Sequence, residues 1–161
     1  MKALFVFGLF LSLKSFAGDT TGHLYHPFDN AEKDIAAALV KAKAEKKHVL
    51  LQIGGNWCVW CYKFNAFVQT DSTLKKILTA NYVLYHLNYS KENKNPVLMK
   101  KLGHPERFGF PVLVVLDGNG KQLHTQDSSL LEQGNGYSAD KVKAFLQNWS
   151  PFAVDETTYK D

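Results

Sequence analysis

The sequence of 161 residues contains only two cysteines. This low number excludes a small scaffold held together by many disulfides, and it excludes a structural zinc site that takes four thiolates from one chain. Hydrophobic residues make up 45% of the sequence and charged residues 21%, which excludes a disordered tail and a fibrous repeat. At this length we expect a single globular domain with its own hydrophobic core.

Long apolar runs are also scarce, and the one at the N-terminus is too short to cross a membrane. It extends from Ala3 to Leu13 and is followed by Ser15-Phe16-Ala17, which places small residues at the −3 and −1 positions of a cleavage site. A bilayer helix needs about 20 apolar residues, and Lys14 interrupts this run. We therefore expect residues 1–17 to be a secretory signal peptide rather than a membrane anchor.

The sequence has little excess of charge of either sign. Cleavage after Ala17 removes two lysines and no acidic residue, so the formal charge falls from +4 to +2. This balance is too weak to indicate nucleic acid as a partner. We expect no stable membrane insertion after signal removal and an exported protein, periplasmic or extracellular, in an oxidising compartment.

Hydrophobic periodicity predicts alternating helices and strands in a domain over residues 31–150. Residues 18–30 lack an apolar period and are expected to form an extended lead-in, with Asp29 and Glu32 as a capping box, while residues 151–161 form a loosely held C-terminal tail. Strands are predicted at 48–53, 82–87, 110–116 and 121–125, and helices at 31–46, 58–68, 73–80, 96–102 and 139–149. This order predicts an α/β fold, a single domain with a mixed sheet flanked by helices.

Cys58 and Cys61 form a specific signal, because they follow a predicted strand and a Gly-Gly turn and open a helix. The unpaired backbone amides at a helix N-terminus stabilise a thiolate, so we expect the pKa of Cys58 to lie below the free value of about 8.5. Cys61 lies one turn further along the same helix face. It can close a disulfide with Cys58 while being more buried and less nucleophilic.

The cysteine pair has three interpretations: a structural disulfide, a metal site and redox chemistry. In the chain-entropy model a four-residue ring stabilises a fold by only about 2 kcal/mol, against roughly 3 kcal/mol for a 15-residue loop. A structural disulfide is therefore better placed between distant elements. Two thiolates also suit a soft ion such as Cu(I). Activation of a thiolate at a helix start favours redox chemistry.

Two independent features carry a resemblance to a known family. Residues 57–61 read Trp-Cys-Val-Trp-Cys after a strand, and residues 109–116 read Gly-Phe-Pro-Val-Leu-Val-Val-Leu before a glycine-turn hairpin and a closing helix. Over residues 31–149 the chain resembles the thioredoxin superfamily, more closely its secreted thioredoxin-like members. The resemblance implies a thioredoxin-like fold with a central mixed β-sheet, and a cis peptide bond before Pro111 with this proline against the disulfide.

The resemblance implies a thiol-disulfide oxidoreductase that acts on protein disulfides. Cys58 is expected to be the attacking thiol and Cys61 the resolving thiol. The redox-active disulfide Cys58–Cys61 carries the chemistry, so we expect no cofactor and no metal. The expected partners are protein thiols and disulfides, together with a redox partner that resets the dithiol. The alternative is a non-enzymatic protein of the same fold that binds a soft metal ion such as Cu(I) or a partner protein.

The resemblance also implies the surroundings of the dithiol. Trp57 lies on the rim of the active site in the family, and with Phe110 and Pro111 it is expected to form the groove that orients the substrate. Trp60, which stands where small residues are common in the family, is expected to support this group.

Two positions depart from the family pattern. Gln52 stands six residues before the first cysteine, where the family often has a buried acid, and His86 falls where the family has a lysine. Because Gln52 cannot accept a proton as a carboxylate does, His86 is the candidate that substitutes. The alternatives are a core amide satisfied by backbone and a partly buried ring with a packing role. We expect Cys61 to resolve the mixed disulfide slowly at neutral pH.

Overall fold

The computed structural model describes residues 22–159, so the predicted signal peptide, residues 1–17, lies outside the described residues. The helices are α1 Ala31–Glu45, α2 Val59–Thr70, α3 Ser72–Asn81, α4 Pro96–Lys101, α5 Ala139–Asn148 and α6 Pro151–Val154. The strands are β1 His48–Gly54, β2 Tyr82–Asn88, β3 Val112–Leu116, β4 Gln122–Asp127, β5 Glu132–Gln133 and β6 Gly136–Tyr137. Short 3-10 helices cover Pro105–Phe108, Ser128–Leu131 and Glu156–Tyr159.

Four strands form the central sheet in the order β2-β1-β3-β4, and β5 pairs with β6 in a separate two-stranded sheet. Strands β1 and β2 are parallel, whereas β3 is antiparallel to both β1 and β4. The predicted mixed sheet in a single α/β domain is confirmed. In the register, Gln52 lies opposite His86 and Ile53 lies opposite Val112.

The apolar run of β1 is buried along all seven residues because helices cover both faces of the sheet. Since successive strand side chains point to opposite faces, Val49 and Leu51 pack with α1 and α4, while Leu50 packs with α2, α3 and α5. Gln52 lies on the same face as Leu50 by this alternation. It is therefore directed towards α2, the helix that carries the cysteines.

Side-chain caps set the beginnings of several helices, among them α1, α3 and α5. The side chain of Asn30 accepts a hydrogen bond from the Lys33 amide at 3.0 Å and caps α1, so the capping box expected from Asp29 is wrong by one residue. Asp71 caps α3 and Ser138 caps α5. Each cap satisfies an amide that has no partner inside its helix.

The directions of the strands determine which residues lie together at one end of the sheet. Because β1 and β2 run parallel and β3 runs the opposite way, the carboxyl ends of β1 and β2 lie at the same edge as the start of β3. Helix α2 begins at this edge, directly after β1. The topology thus brings Cys58, Gly54, Asn88 and Pro111 to one end of the molecule.

Within residues 22–159, no helix combines the length and the apolar character needed to cross a membrane.

Candidate functional site

A disulfide joins Cys58 to Cys61, whose Cα atoms are 5.3 Å apart, at the first turn of α2. Cys58 is the N-cap, and its Sγ accepts a hydrogen bond from the Cys61 amide at 3.1 Å. The exposed fraction is 5% for Cys58 and 0% for Cys61. The sulfur of Cys58 therefore lies at the positive end of the helix dipole, and Cys61 is fully buried.

Two glycines allow the chain to pass close to the disulfide. A Cβ on Gly54 would overlap Cys61 Sγ and lie 2.9 Å from the hydroxyl oxygen of Tyr25. A Cβ on Gly55 would overlap the indole nitrogen of Trp57 and lie 2.7 Å from the carbonyl oxygen of Tyr89. Both positions need glycine because of these close approaches, and neither was identified from the sequence as part of the site.

Phe110 packs against the buried cysteines and joins Trp57 and Tyr89 in a cluster of three aromatic rings. Trp57 is 56% exposed, and its Nε1 donates a hydrogen bond to the Tyr89 carbonyl at 2.9 Å. Its ring meets Phe110 edge to face at 5.3 Å, and Phe110 contacts Tyr89 at 4.9 Å. The Phe110–Pro111 peptide bond is cis, which confirms the expectation for Pro111. The structure thus brings together Trp57, Phe110 and Pro111, the three residues expected to form the groove.

Trp60, which was expected to support this group, packs on another side. It packs against the buried cluster of Tyr25 and the two cysteines, and its ring meets Tyr137 edge to face at 5.6 Å. The Lys63 ammonium lies 4.3 Å from the centre of the Trp60 ring. Trp60 therefore contacts the disulfide region and the β5–β6 sheet.

Gln52 makes its contacts as a donor. Its Nε2 donates to the Tyr25 hydroxyl at 2.8 Å and to the Cys61 carbonyl at 3.1 Å. Its Oε1 is buried and has no hydrogen-bond partner among residues 22–159. The backbone partner expected for a core amide is present, and the second partner is a side chain from the lead-in.

His86 lies in the same layer, opposite Gln52 in the register. Its ring meets that of Tyr25 edge to face at 5.5 Å, and its buried Nε2 has no hydrogen-bond partner in the described part of the chain. Burial, with a smaller contribution from the charge of His26, lowers the pKa of His86 to about 4. The ring is therefore neutral and weakly basic at neutral pH.

Tyr25 belongs to the segment predicted as an extended lead-in, yet it is fully buried against both cysteines. The Asn56 side chain holds it by accepting from the Tyr25 amide at 3.1 Å and donating to the Tyr25 carbonyl at 2.8 Å. Burial raises the pKa of the Tyr25 hydroxyl, partly opposed by the hydrogen bond from Gln52. Sequence periodicity gives no signal for this contact, because it joins residues 31 positions apart.

The arrangement suits thiol chemistry: one sulfur at a helix start, a buried sulfur one turn away, and aromatic surface beside them. Among residues 22–159, no group of three or more His, Cys, Asp or Glu side chains is placed to hold a metal ion. His23 and His26 line a cavity with Tyr25 and Asn56, on the outer side of the lead-in.

Comparison with protein families and relatives gives a consistent result. A thioredoxin-like family model matches residues 30–118. The disulfide bond reductase DsbH of Chlamydia pneumoniae is 28% identical over 119 residues, which cover 70% of this chain and 70% of DsbH. The thiol:disulfide interchange protein DsbD of Escherichia coli (strain K12) is 30% identical over 103 residues, which cover 64% of this chain and 17% of DsbD. The chain thus spans only a small part of DsbD.

Solved structures agree on the fold. The crystal structure of a disulphide isomerase from Xylella fastidiosa Temecula1 aligns with a TM-score of 0.67 and 22% identity, covering 77% of this chain and 94% of that protein. At this level of identity the likeness concerns the fold alone. The predicted thioredoxin-like fold is confirmed.

Proposed function

The chain belongs to the thioredoxin-like family, and we propose that this thiol-disulfide oxidoreductase exchanges protein disulfides outside the cytoplasm through Cys58 and Cys61. One observation carries the proposal: the Sγ of Cys58 caps α2 and accepts the Cys61 amide at 3.1 Å. An amide that donates to this sulfur favours the thiolate once the disulfide is reduced. The likeness to a disulfide bond reductase supports the same activity.

The reaction consists of two exchanges of sulfur partners. The Cys58 thiolate attacks one sulfur of the substrate disulfide, so that a Cys58–substrate bond forms and the other substrate sulfur leaves as a thiolate, which takes a proton. Cys61 then loses its proton and attacks the Cys58 sulfur, which releases the second substrate thiol and closes Cys58–Cys61. The dithiol loses two electrons and two protons, and the substrate gains them. The reverse sequence oxidises a substrate dithiol.

The surrounding residues position the substrate in this proposal. Trp57 and Phe110 offer aromatic surface beside Cys58, and the backbone of residues 109–111 pairs with an extended substrate segment next to Pro111. Trp60 supports the disulfide from its other side. The dithiol needs no cofactor, and a partner dithiol returns the protein to its reduced form.

Export is part of the proposal and rests on residues 1–17, which have the features of a signal peptide. The protein recovered from its native compartment should begin at Gly18, and N-terminal sequencing checks this. A mature chain that still begins at Met1 would contradict export by signal cleavage.

Trapping of the mixed disulfide tests the exchange itself. Cys61→Ser should accumulate a covalent complex with a protein disulfide substrate through Cys58, because the resolving thiol is absent. Cys58→Ser should accumulate none, since Cys61 is fully buried. Mass spectrometry of non-reduced complexes reads both outcomes. Complexes formed by Cys58→Ser alone would overturn the assignment of the attacking thiol.

A further inference from the structure

A cavity of about 230 Å³ opens next to Trp57, the residue before Cys58, and is lined by Trp57, Tyr89, Ser90, Lys91 and Lys94. The surface that it exposes is almost entirely apolar. Trp57 immediately precedes Cys58, so the Cα atoms of these residues are about 3.8 Å apart. A substrate segment attached to Cys58 therefore passes close to this cavity, which we call the lysine groove.

The loop that carries the two lysines is fixed by side-chain amides. Asn88 Nδ2 donates to the Asn93 carbonyl at 2.8 Å, and Asn95 Nδ2 donates to the Asn88 carbonyl at 2.7 Å. Asn93 also donates to the Pro27 carbonyl at 3.1 Å, which joins the loop to the lead-in. These hydrogen bonds hold residues Ser90 to Asn95 in place before a partner binds. Binding there therefore costs little conformational entropy of the loop.

The groove carries positive charge only. Lys91 and Lys94 are exposed, and neither ammonium forms an ion pair with another side chain among residues 22–159. Glu92, between them, does not line the groove. A hydrogen bond from the Ser90 side chain lowers the pKa of Glu92, with smaller contributions from a backbone hydrogen bond and from the charge of Lys91. Two exposed ammonium groups without a salt bridge, beside an apolar floor, suit a carboxylate that flanks an apolar side chain.

We propose that the lysine groove selects substrate segments in which an apolar residue and an acidic residue lie within about three residues of the reacting cysteine, at roughly 3.3 Å of extended chain per residue. The apolar side chain occupies the cavity between Trp57 and Tyr89, and the carboxylate pairs with Lys91 or Lys94. This inference rests on the proposed exchange activity and names its substrate class.

Two synthetic peptides test it. Both peptides contain one intramolecular disulfide and a leucine beside one cysteine. Next to this leucine, the first peptide carries two glutamates and the second peptide carries two lysines. The reduced protein should reduce the glutamate peptide with at least tenfold higher kcat/KM at low salt, and 0.5 M salt should shrink this ratio because it screens exposed charges. Equal kcat/KM values for the two peptides at low salt would overturn the proposal.

Charge-reversal variants test whether Lys91 and Lys94 cause the preference for the glutamate peptide. K91E/K94E should invert the preference, and K91Q/K94Q should bring it close to one. The matched control, K75E/K76E, makes the same change at two exposed lysines of α3 and should keep the preference of the parent. A preference that persists in K91E/K94E would place the selecting charge elsewhere and overturn the proposal.

A small neutral disulfide distinguishes a failure of the groove proposal from a failure of the proposed exchange activity. The parent protein should reduce 2-hydroxyethyl disulfide, which carries no charge to engage either lysine. Reduction of this compound without discrimination between the peptides would remove the groove proposal and keep the exchange activity. Failure to reduce this compound and both peptides would remove the exchange activity, and the groove proposal with it.

Discussion

Gln52 donates a hydrogen bond from its Nε2 to the hydroxyl oxygen of Tyr25 at 2.8 Å, next to the buried sulfur of Cys61. The same nitrogen donates to the Cys61 carbonyl at 3.1 Å. The amide therefore ties the lead-in to the helix that carries the resolving cysteine. It offers a donor at the position where a carboxylate would offer a base, and the neighbouring His86, with a pKa of about 4, is a weak base.

Gln52→Glu should accelerate resolution by Cys61 at pH 7 by at least tenfold, because the new carboxylate can take the thiol proton. The free energy of unfolding should fall by roughly 1–3 kcal/mol, since two buried acceptors lose their donor and a charge is buried. Stopped-flow tryptophan fluorescence of disulfide reduction measures the rate, with Trp57 and Trp60 beside the cysteines as reporters.

Tyr25→Phe is the control for this change, because it breaks the same hydrogen bond without adding a base. It should cost about 1 kcal/mol of stability and should not accelerate resolution. Equal rates for the parent protein and Gln52→Glu across neutral pH would show that proton removal from Cys61 does not limit the reaction.

The buried ring of His86 should make the protein less stable in acid. Folding lowers the pKa of His86 from 6.5 to about 4, so between these values the unfolded chain binds a proton that the folded chain does not. Stability from this group is complete above pH 6.5 and falls by about 3 kcal/mol as the pH decreases to 4. Urea unfolding of the parent and of His86→Phe at pH 7, 5 and 4 checks this.

His86→Phe keeps an aromatic ring against Tyr25 and removes the titrating group. Its loss of stability between pH 7 and pH 4 should be smaller than that of the parent by about 3 kcal/mol. If both proteins lose the same stability over this range, the low pKa of His86 is wrong.

Gly54→Ala should damage the site directly. Its Cβ would overlap Cys61 Sγ and approach the Tyr25 hydroxyl, so one of these groups must move, at a cost of about 1–3 kcal/mol in the free energy of unfolding. The variant should also reduce disulfides more slowly than the parent protein. Thermal unfolding and the reduction assay measure the two effects.

Gly136→Ala is the matched control, since a Cβ there has no neighbour within 4 Å. It should leave both stability and reduction rate close to those of the parent. If Gly54→Ala behaves like Gly136→Ala, then the close packing around Cys61 does not matter to the site.

Local sequence signals predicted most of the fold correctly. The continuous apolar run at 48–53 predicted β1, which ends one residue later at Gly54. Asp71 and Ser138 cap α3 and α5, because short polar side chains before a periodic segment satisfy free amides. The Cys-x-x-Cys spacing after a strand predicted the position of the disulfide. The resemblance to the thioredoxin superfamily implied the class of enzyme, a thiol-disulfide oxidoreductase, which the likeness to DsbH confirms.

Features that rest on distant contacts were not predictable in this way. The β5–β6 hairpin has strands of only two residues each, too short for an alternating pattern. The tail begins with the helical turn α6, which Ser150 caps. Tyr25 is buried because Asn56 holds its backbone, and no pattern within residues 18–30 indicates that contact.

The equilibrium reduction potential of the Cys58–Cys61 pair tests the central claim most directly. It is measured by equilibrating the protein with glutathione or dithiothreitol redox buffers, alkylating free thiols and quantifying the two forms by mass. A dithiol that exchanges with protein disulfides should have a potential between roughly −270 and −120 mV. A potential below about −300 mV would identify a structural disulfide and contradict the account.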